Sequence, residues 1–205
     1  MLLLAGCPSS NSSSELDSLA LLFLANNSTN SSTITYPCKQ TQQNPVSGFS
    51  WRSEGRCKTP SFSSNGDGTI TDTANNLLWT FCNVNATGHN GTTSTCTTPS
   101  IGTDVFNQTN ANTHCNSLNW AGRSDWILPD QLRLNTLKNP DRGSSPYVFQ
   151  PPFTANWGTS PTYMSSTITT GSNPTGVINF SLSSNTSFEY LSGTATAYVR
   201  CVAEL

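Results

Sequence analysis

The chain has 205 residues, 34% of them hydrophobic and only 10% charged, with a formal net charge of -2; that is length for one medium domain and a tail, burying roughly two-thirds of the unfolded surface. So few charges, slightly acidic in balance, exclude a nucleic-acid binder built on a clustered basic surface, and they remove the easy argument for a polyanionic glycan. Polarity comes instead from Ser, Thr and Asn, neutral residues that suit short strands, turns and hydrogen-bonded loops more than long helices.

The chain opens Met1-Leu-Leu-Leu-Ala-Gly-Cys7. Leu4-Ala5-Gly6 before a cysteine resembles the end of a bacterial lipoprotein signal, in which Cys7 receives the lipid. The basic n-region is missing and the apolar run is short, so residues 1–7 are expected to be the remnant of a longer signal peptide. A lipid on Cys7 places the protein in the cell envelope, anchored in a membrane at the outer membrane or cell surface. Of the seven cysteines, six then remain, an even number in an oxidising compartment. Residues 8–35 are mostly Ser, Asn and Thr, broken by Leu16 and the run Leu19 to Leu24; they read as a flexible tether that cannot fold alone. The run is shorter than the ~20 apolar residues of a spanning helix. It is expected to form a short helix docking on the domain or on a neighbouring copy; a trimer-forming helix is the sharper idea, though no heptad is sustained.

The folded domain is expected over residues 36–205. Cys38 and Cys57 enclose a loop rich in Gln, Ser and Gly, with Arg52, Arg56 and Lys58 at its far end. Phe62 to Asp72 is two alternating segments around Asn65-Gly-Asp67-Gly, a hairpin signature. The same residues look like the middle of a calcium loop, but in that register Ser63 and Ala74 would hold the first and last ligand positions, so two oxygens are missing. Leu77, Leu78, Trp79 and Phe81 supply core. Cys82 and Cys96 flank a polar insertion that carries His89. Ala111, Cys115 and Leu118 recur at helical spacing. Gly122 turns the chain, Trp126 is buried, and Asp130 caps a second helix whose Leu134 and Leu137 point inward. Asn139 to Asn156, rich in proline and aromatic residues, reads as a long irregular loop. Tyr163–Thr167, Gly176–Phe180 and Ala197–Val202 read as strands, the last ending in the core.

Together these segments resemble the exported bacterial family known as DUF1566, or the Lcl C-terminal domain. Its hallmarks stand here as Asn65 to Thr69 with Leu78-Trp79, Cys115 to Leu118, Gly122 to Pro129, Tyr163 to Thr167, Ile178 to Phe180, and Tyr198 to Val202. Each motif is weak alone; their number and order carry the resemblance, over roughly residues 60 to 203. Ile127 replaces the family's arginine and Met164 its tryptophan. Both keep a packing side chain, but the first removes a charge that could bond to core or ligand. The family is similar to C-type-lectin-like domains, in which a helix cysteine pairs with one in the final strand, and this implies a Cys115–Cys201 bridge. Six cysteines allow many pairings, and sequence alone does not choose among them. Cys38–Cys57 and Cys82–Cys96 complete the expected set because each closes a local polar loop. Each bridge would stabilise the domain by ~2–4 kcal/mol. The implied fold is α+β: a single disulfide-stapled C-type-lectin-like domain with two helices and short antiparallel strands, preceded by a flexible lipoprotein tether.

Chemistry-bearing patterns are few. Asn139-Pro140-Asp141 resembles the sugar-and-calcium motif of C-type lectins, but its Trp-Asn-Asp partner triplet is absent and an ordinary turn is the better reading. His89 and His114 sit in no metal-ligand pattern, and His114 is expected to face solvent or cap a carbonyl. No nucleophile elbow, His-Glu-x-x-His helix or P-loop occurs. Asp104, Asp125 and Asp141 leave open a carboxylate pair for glycoside hydrolysis. No catalytic residue, metal or cofactor is expected.

Two basic groups remain, Arg52/Arg56/Lys58 and Arg133/Lys138/Arg142. The plain reading is solvated surface. The functional reading is a sulfated-glycosaminoglycan site, which the resemblance suggests and which would need oligomerisation to gather the patches. The loops from Asn139 to Thr162 bring Tyr147, Phe149, Phe153 and Trp157, as exposed contact surface or as core. The expected function is non-catalytic, adhesin-like binding of a host matrix component or glycan by a surface lipoprotein. The alternative is an envelope-assembly module that binds itself or another envelope protein.

Overall fold

A computed structural model describes Cys38 and, from Cys57 to Leu205, all residues except 86–87, 93–94, 98–103, 154–156, 159–160, 169–173 and 184–187. The expected signal with Cys7, the tether over 8–35, Arg52 and Arg56 lie outside the described residues. The chain divides into two units, Met1–Thr35 and Tyr36–Leu205, and every described strand and helix belongs to the second.

β1 (Phe62–Ser64) and β2 (Thr69–Asp72) pair antiparallel, Phe62 opposite Asp72 and Ser64 opposite Ile70. Gly66 and Gly68 turn the chain at φ 76° and 85°, values that glycine adopts without strain. Asp67 Oδ1 accepts from the Thr69 amide at 3.0 Å, which closes the turn. β3 (Leu77–Thr80) follows against β2, and β4 (Val84–Asn85) and β5 (Gly88–His89) form a small separate hairpin. After β6 (Val105–Phe106) comes helix α1 (Gln108–Ser117), capped by Asn107 Oδ1 accepting from the Asn110 amide at 2.9 Å. Ala111 and Cys115 are its buried residues, and Leu118 closes it. Ala121 and Gly122, both at positive φ, reverse the chain. Asp130 caps the short helix α2 (Gln131–Asn135) by accepting from the Arg133 amide at 2.9 Å, and Leu132, Leu134 and Leu137 are fully buried. No helix among the described residues is long and apolar enough to cross a membrane.

Five strands complete the domain: β7 (Thr162–Ile168), β8 (Thr175–Asn179), β9 (Phe188–Leu191), β10 (Ala197–Tyr198) and β11 (Val202–Glu204). The sheets run β1-β2-β3-β11 and β6-β10-β7-β8-β9. The expected terminal strand over Ala197–Val202 is therefore two strands in different sheets. Tyr198 pairs with Val105 and Tyr163, Val202 with Trp79, and the chain crosses between sheets at Val199-Arg200-Cys201. The crossing is held by backbone partners: the Val199 carbonyl accepts from Val84 at 2.9 Å and the Cys201 carbonyl from Thr80 at 3.1 Å. Strands were expected to be antiparallel, and the β10–β7 pair is parallel.

Successive strand residues point to opposite faces, and here both faces are buried. Leu77, Trp79, Tyr163, Ile178 and Val202 join α2 in one apolar cluster. Leu78, Met164, Val177 and Ala203 join α1 in the other. The fold is thus mixed α+β, mostly strand, with two helices. Disulfides link Cys38–Cys57, Cys82–Cys96 and Cys115–Cys201, the same pairs as expected. The third ties α1 to the crossing segment.

Candidate functional site

Of the basic side chains singled out in the sequence, Lys58 is exposed and its backbone amide donates to Asn75 Oδ1 at 2.7 Å. Arg133 and Lys138 belong to the interior, each 2% exposed. Arg133 Nε donates to the Cys38 carbonyl at 2.9 Å, and its guanidinium pairs with the Glu204 carboxylate and, at 3.8 Å, with Asp130. It clamps the first disulfide to α2 and β11, so it is a structural ion and not a surface contact. Burial pushes the Lys138 ammonium down to about 8, against the pull of Glu189. Arg142 is half-buried and donates to the Pro146 carbonyl. The expected second basic patch therefore does not form as a surface.

The aromatic stripe also divides. Tyr147 and Phe149 are half-buried, whereas Phe153 and Trp157 are buried. The reason is Arg200. Its guanidinium carbon lies 4.6 Å from the Trp157 ring centre and 5.2 Å from that of Phe153. Arg200 Nη1 donates to the carbonyls of Thr80 (2.8 Å) and Phe81, and Nη2 to Asn83 Oδ1 at 3.2 Å. The same Asn83 oxygen accepts from the Tyr163 hydroxyl at 2.9 Å. A buried cation needs hydrogen bonds and ring faces to offset lost hydration; Thr80, Phe81 and Asn83 supply the first, and Phe153 and Trp157, open in the sequence to a surface or a core reading, supply the second from the core. Arg200 was not singled out in the sequence, although it sits inside the closing Tyr198-Val-Arg-Cys-Val motif.

The other candidates resolve individually. Asn139 Oδ1 accepts from the Asp141 amide at 3.1 Å, an ordinary turn. Asp104 is buried and accepts from Asn90 at 3.3 Å, Asp125 is exposed and pairs with Arg123, and Asp141 is exposed. His114 is half-buried against Phe106, with ring centres 4.4 Å apart. His89 stacks on Trp120 at 4.0 Å, and its Nε2 accepts from the Cys82 amide at 3.0 Å. Burial, then the Arg200 charge, hold the His89 imidazole down to about 4, with the Gly91 backbone pulling the other way. Among the described residues no group of three His, Cys, Asp or Glu side chains could hold a metal.

Two concavities are formed by described residues alone. One, about 380 Å³, lies between α1 and the β4–β5 hairpin and includes His89, His114, Asn119 and Trp120. Its indole is already engaged: Trp120 Nε1 donates to the Gly68 carbonyl at 3.2 Å, and a Cβ at Gly68 would stand 2.7 Å from the ring. The other, about 400 Å³, opens on the five-stranded sheet, lined by Thr162, Asn179, Glu189, Leu191, Thr196 and Tyr198, with Val105 and Ala197 beside them. Register explains the gathering. Thr162 opposes Asn179 on neighbouring strands, and Val177 opposes Glu189, so with a two-residue period Thr162, Asn179 and Glu189 share one face. Asn179 Nδ2 donates to Glu189 Oε1 at 2.9 Å while Asn179 Oδ1 accepts from the Ser181 amide at 2.9 Å, which fixes the carboxamide. Burial and the nearby Asp104 charge push the Tyr198 phenol up. None of these lining groups was picked from the sequence, because they are single polar residues in strands that only pairing brings together.

The model of the Lcl C-terminal domain family matches residues 68–203, about two-thirds of the chain. The chain belongs to that family. The Lcl C-terminal domain thus runs from the first hairpin turn through β11, includes the Cys82–Cys96 and Cys115–Cys201 bridges and both concavities, and begins after the Cys38–Cys57 bridge. At the two positions where the chain departs from the hallmarks of the Lcl C-terminal domain, Ile127 exchanges backbone hydrogen bonds with Val202 at 2.8 and 3.0 Å, and Met164 is fully buried beside Val177. No curated protein and no solved structure matches the chain.

Proposed function

We propose that this member of the Lcl C-terminal domain family is a non-catalytic binding protein of the bacterial cell surface, held to the outer membrane by a lipid on Cys7, with a host glycan or matrix component as partner. The groove on the five-stranded sheet carries this reading. It is open, mixes apolar and polar walls, and is built on paired strands in a domain held by three disulfides, the preorganised concave setting in which ligand sites are usually found. The tie between α1 and the crossing segment through Cys115–Cys201 supports a C-type-lectin-like arrangement. Within the groove the described polar side chains lack the nucleophile–base pairing that catalysis by this chain would need.

Incubation of the full oxidised chain with an array of glycans and matrix proteins, with calcium or chelator and at low and high salt, tests the reading. Retention on at least one class above a control protein is expected; a blank array beside a control adhesin that binds would overturn it. The second reading, an envelope-assembly module, is favoured by one feature, the edge position of β9 among the described strands of its sheet, since a sheet edge can accept a further strand. Concentration-dependent self-association without glycan retention would favour it.

A further inference from the structure

We infer that the groove formed by Thr162, Asn179 and Glu189 takes an uncharged, hydroxyl-rich ligand, a neutral saccharide, and not a sulfated polymer. This rests on the binding reading above and narrows it to a ligand class. The groove presents a carboxylate that accepts, a carboxamide already oriented by its bond to that carboxylate, and the hydroxyls of Thr162 and Thr196, which both donate and accept. Adjacent sugar hydroxyls need that pairing of acceptor and donor, and Leu191 and Val105 offer apolar surface for the C–H face of a ring. At about 400 Å³ the cavity is small-ligand size.

Charge excludes the sulfated alternative here. No basic side chain lines the groove among the described residues, and its own ionised group is Glu189. Lys138, on which Glu189 acts, is buried and stands outside the lining. Asp104, near enough to act on Tyr198, adds a second negative group. Elsewhere in the described domain, Arg133 and Arg200 are buried, Arg123 is bound to Asp125, Arg142 to the Pro146 carbonyl, and Lys58 alone is exposed among the described basic side chains. The undescribed stretches between residues 57 and 205 contain no Lys or Arg. A polyanion held by counter-charge needs several cations on one face, and among the described residues this face has none.

The test applies neutral oligosaccharides, heparin and chondroitin sulfate to the full oxidised chain at low and high salt, then repeats the titration with Glu189→Gln, Thr162→Val and Lys58→Ala, each checked for an unchanged thermal midpoint. The expected result is salt-insensitive binding of a neutral oligosaccharide, weakened at least about tenfold by Glu189→Gln or Thr162→Val, in line with loss of one charge-assisted or neutral hydrogen bond, and unchanged by Lys58→Ala. Thr162→Val decides alone if Glu189→Gln does not fold. Salt-sensitive retention of heparin with neutral sugars left free would overturn the inference while leaving the binding reading intact. Neutral-sugar binding that survives both groove variants would overturn the assignment to this groove. Retention of none of these saccharides would also overturn it, and the binding reading falls as well only if the matrix proteins of the array above stay blank.

Discussion

Arg200 is the residue on which two sheets and the aromatic cluster converge. Its replacement by Ala would strand the carbonyls of Thr80 and Phe81 in the interior, leave the oxygen of Asn83 with the Tyr163 hydroxyl alone and leave Trp157 and Phe153 facing a void. A loss of about 3–5 kcal/mol is expected, by analogy with removing one partner of a buried charged network, read as a lower denaturant midpoint at constant slope. Sequence reasoning treats an arginine as surface, so Arg200 passed as one letter of a strand motif, and Arg133 and Lys138 passed as a patch. What makes them core is the partner set, which for Arg200 reaches back as far as Thr80, 120 positions away, and for Arg133 comes from Cys38 and Glu204. His89 gives a pH signature. Its folded pKa of about 4 lies below the ordinary value of 6.5, so between those values the unfolded chain takes up a proton that the folded chain refuses. Stability therefore falls as pH drops from 6.5 towards 4 and this contribution levels off below. Comparing denaturant midpoints of the parent and His89→Gln across that window should show a shallower acid slope in the variant.

At the scale of elements, the residues that announce local structure did so without tertiary help. The Asn65-Gly-Asp67-Gly turn sits between paired strands, Asp130 caps α2, and Ala111 with Cys115 forms the buried stripe of α1. Each depends on neighbours within about four residues, the range over which turn and cap chemistry acts. The terminal strand was legible as extended chain but not as two strands, because the change of sheet at Val199 to Cys201 is decided by Val84, Thr80 and Val105 across the fold. The short strands β6 and β9 carried too few alternating residues to be seen at all. The bridge from α1 to the crossing segment is the element-level staple with the widest span, 86 residues against 14 for Cys82–Cys96. Loop-closure entropy grows with that span, so replacing Cys115 and Cys201 together by Ala should cost about 4–5 kcal/mol, and replacing Cys82 and Cys96 about 3 kcal/mol. Thermal melts of the two double variants, compared in the oxidised state, check the order.

For the whole molecule, composition foretold a scaffold held by staples and hydrogen-bonded Ser, Thr and Asn, while the groove stayed invisible because it is a property of register. Thr162, Asn179 and Glu189 are ordinary letters until β7, β8 and β9 align. The crossing segment also governs timing. β11 is the partner of β3, β10 joins β6 to β7, Cys201 closes on Cys115, and Arg200 fills the space among Thr80, Trp157 and Tyr163. All of these contacts belong to residues 197–204, which a ribosome makes after everything they bind. Neither sheet is complete, and neither apolar cluster is closed, until that stretch has emerged. With pairings so distant in sequence, closure is slow compared with helix or hairpin formation. A nascent chain of this kind therefore stays open while residues 57–196 are made, because the segment that would close both sheets and both clusters has yet to be added.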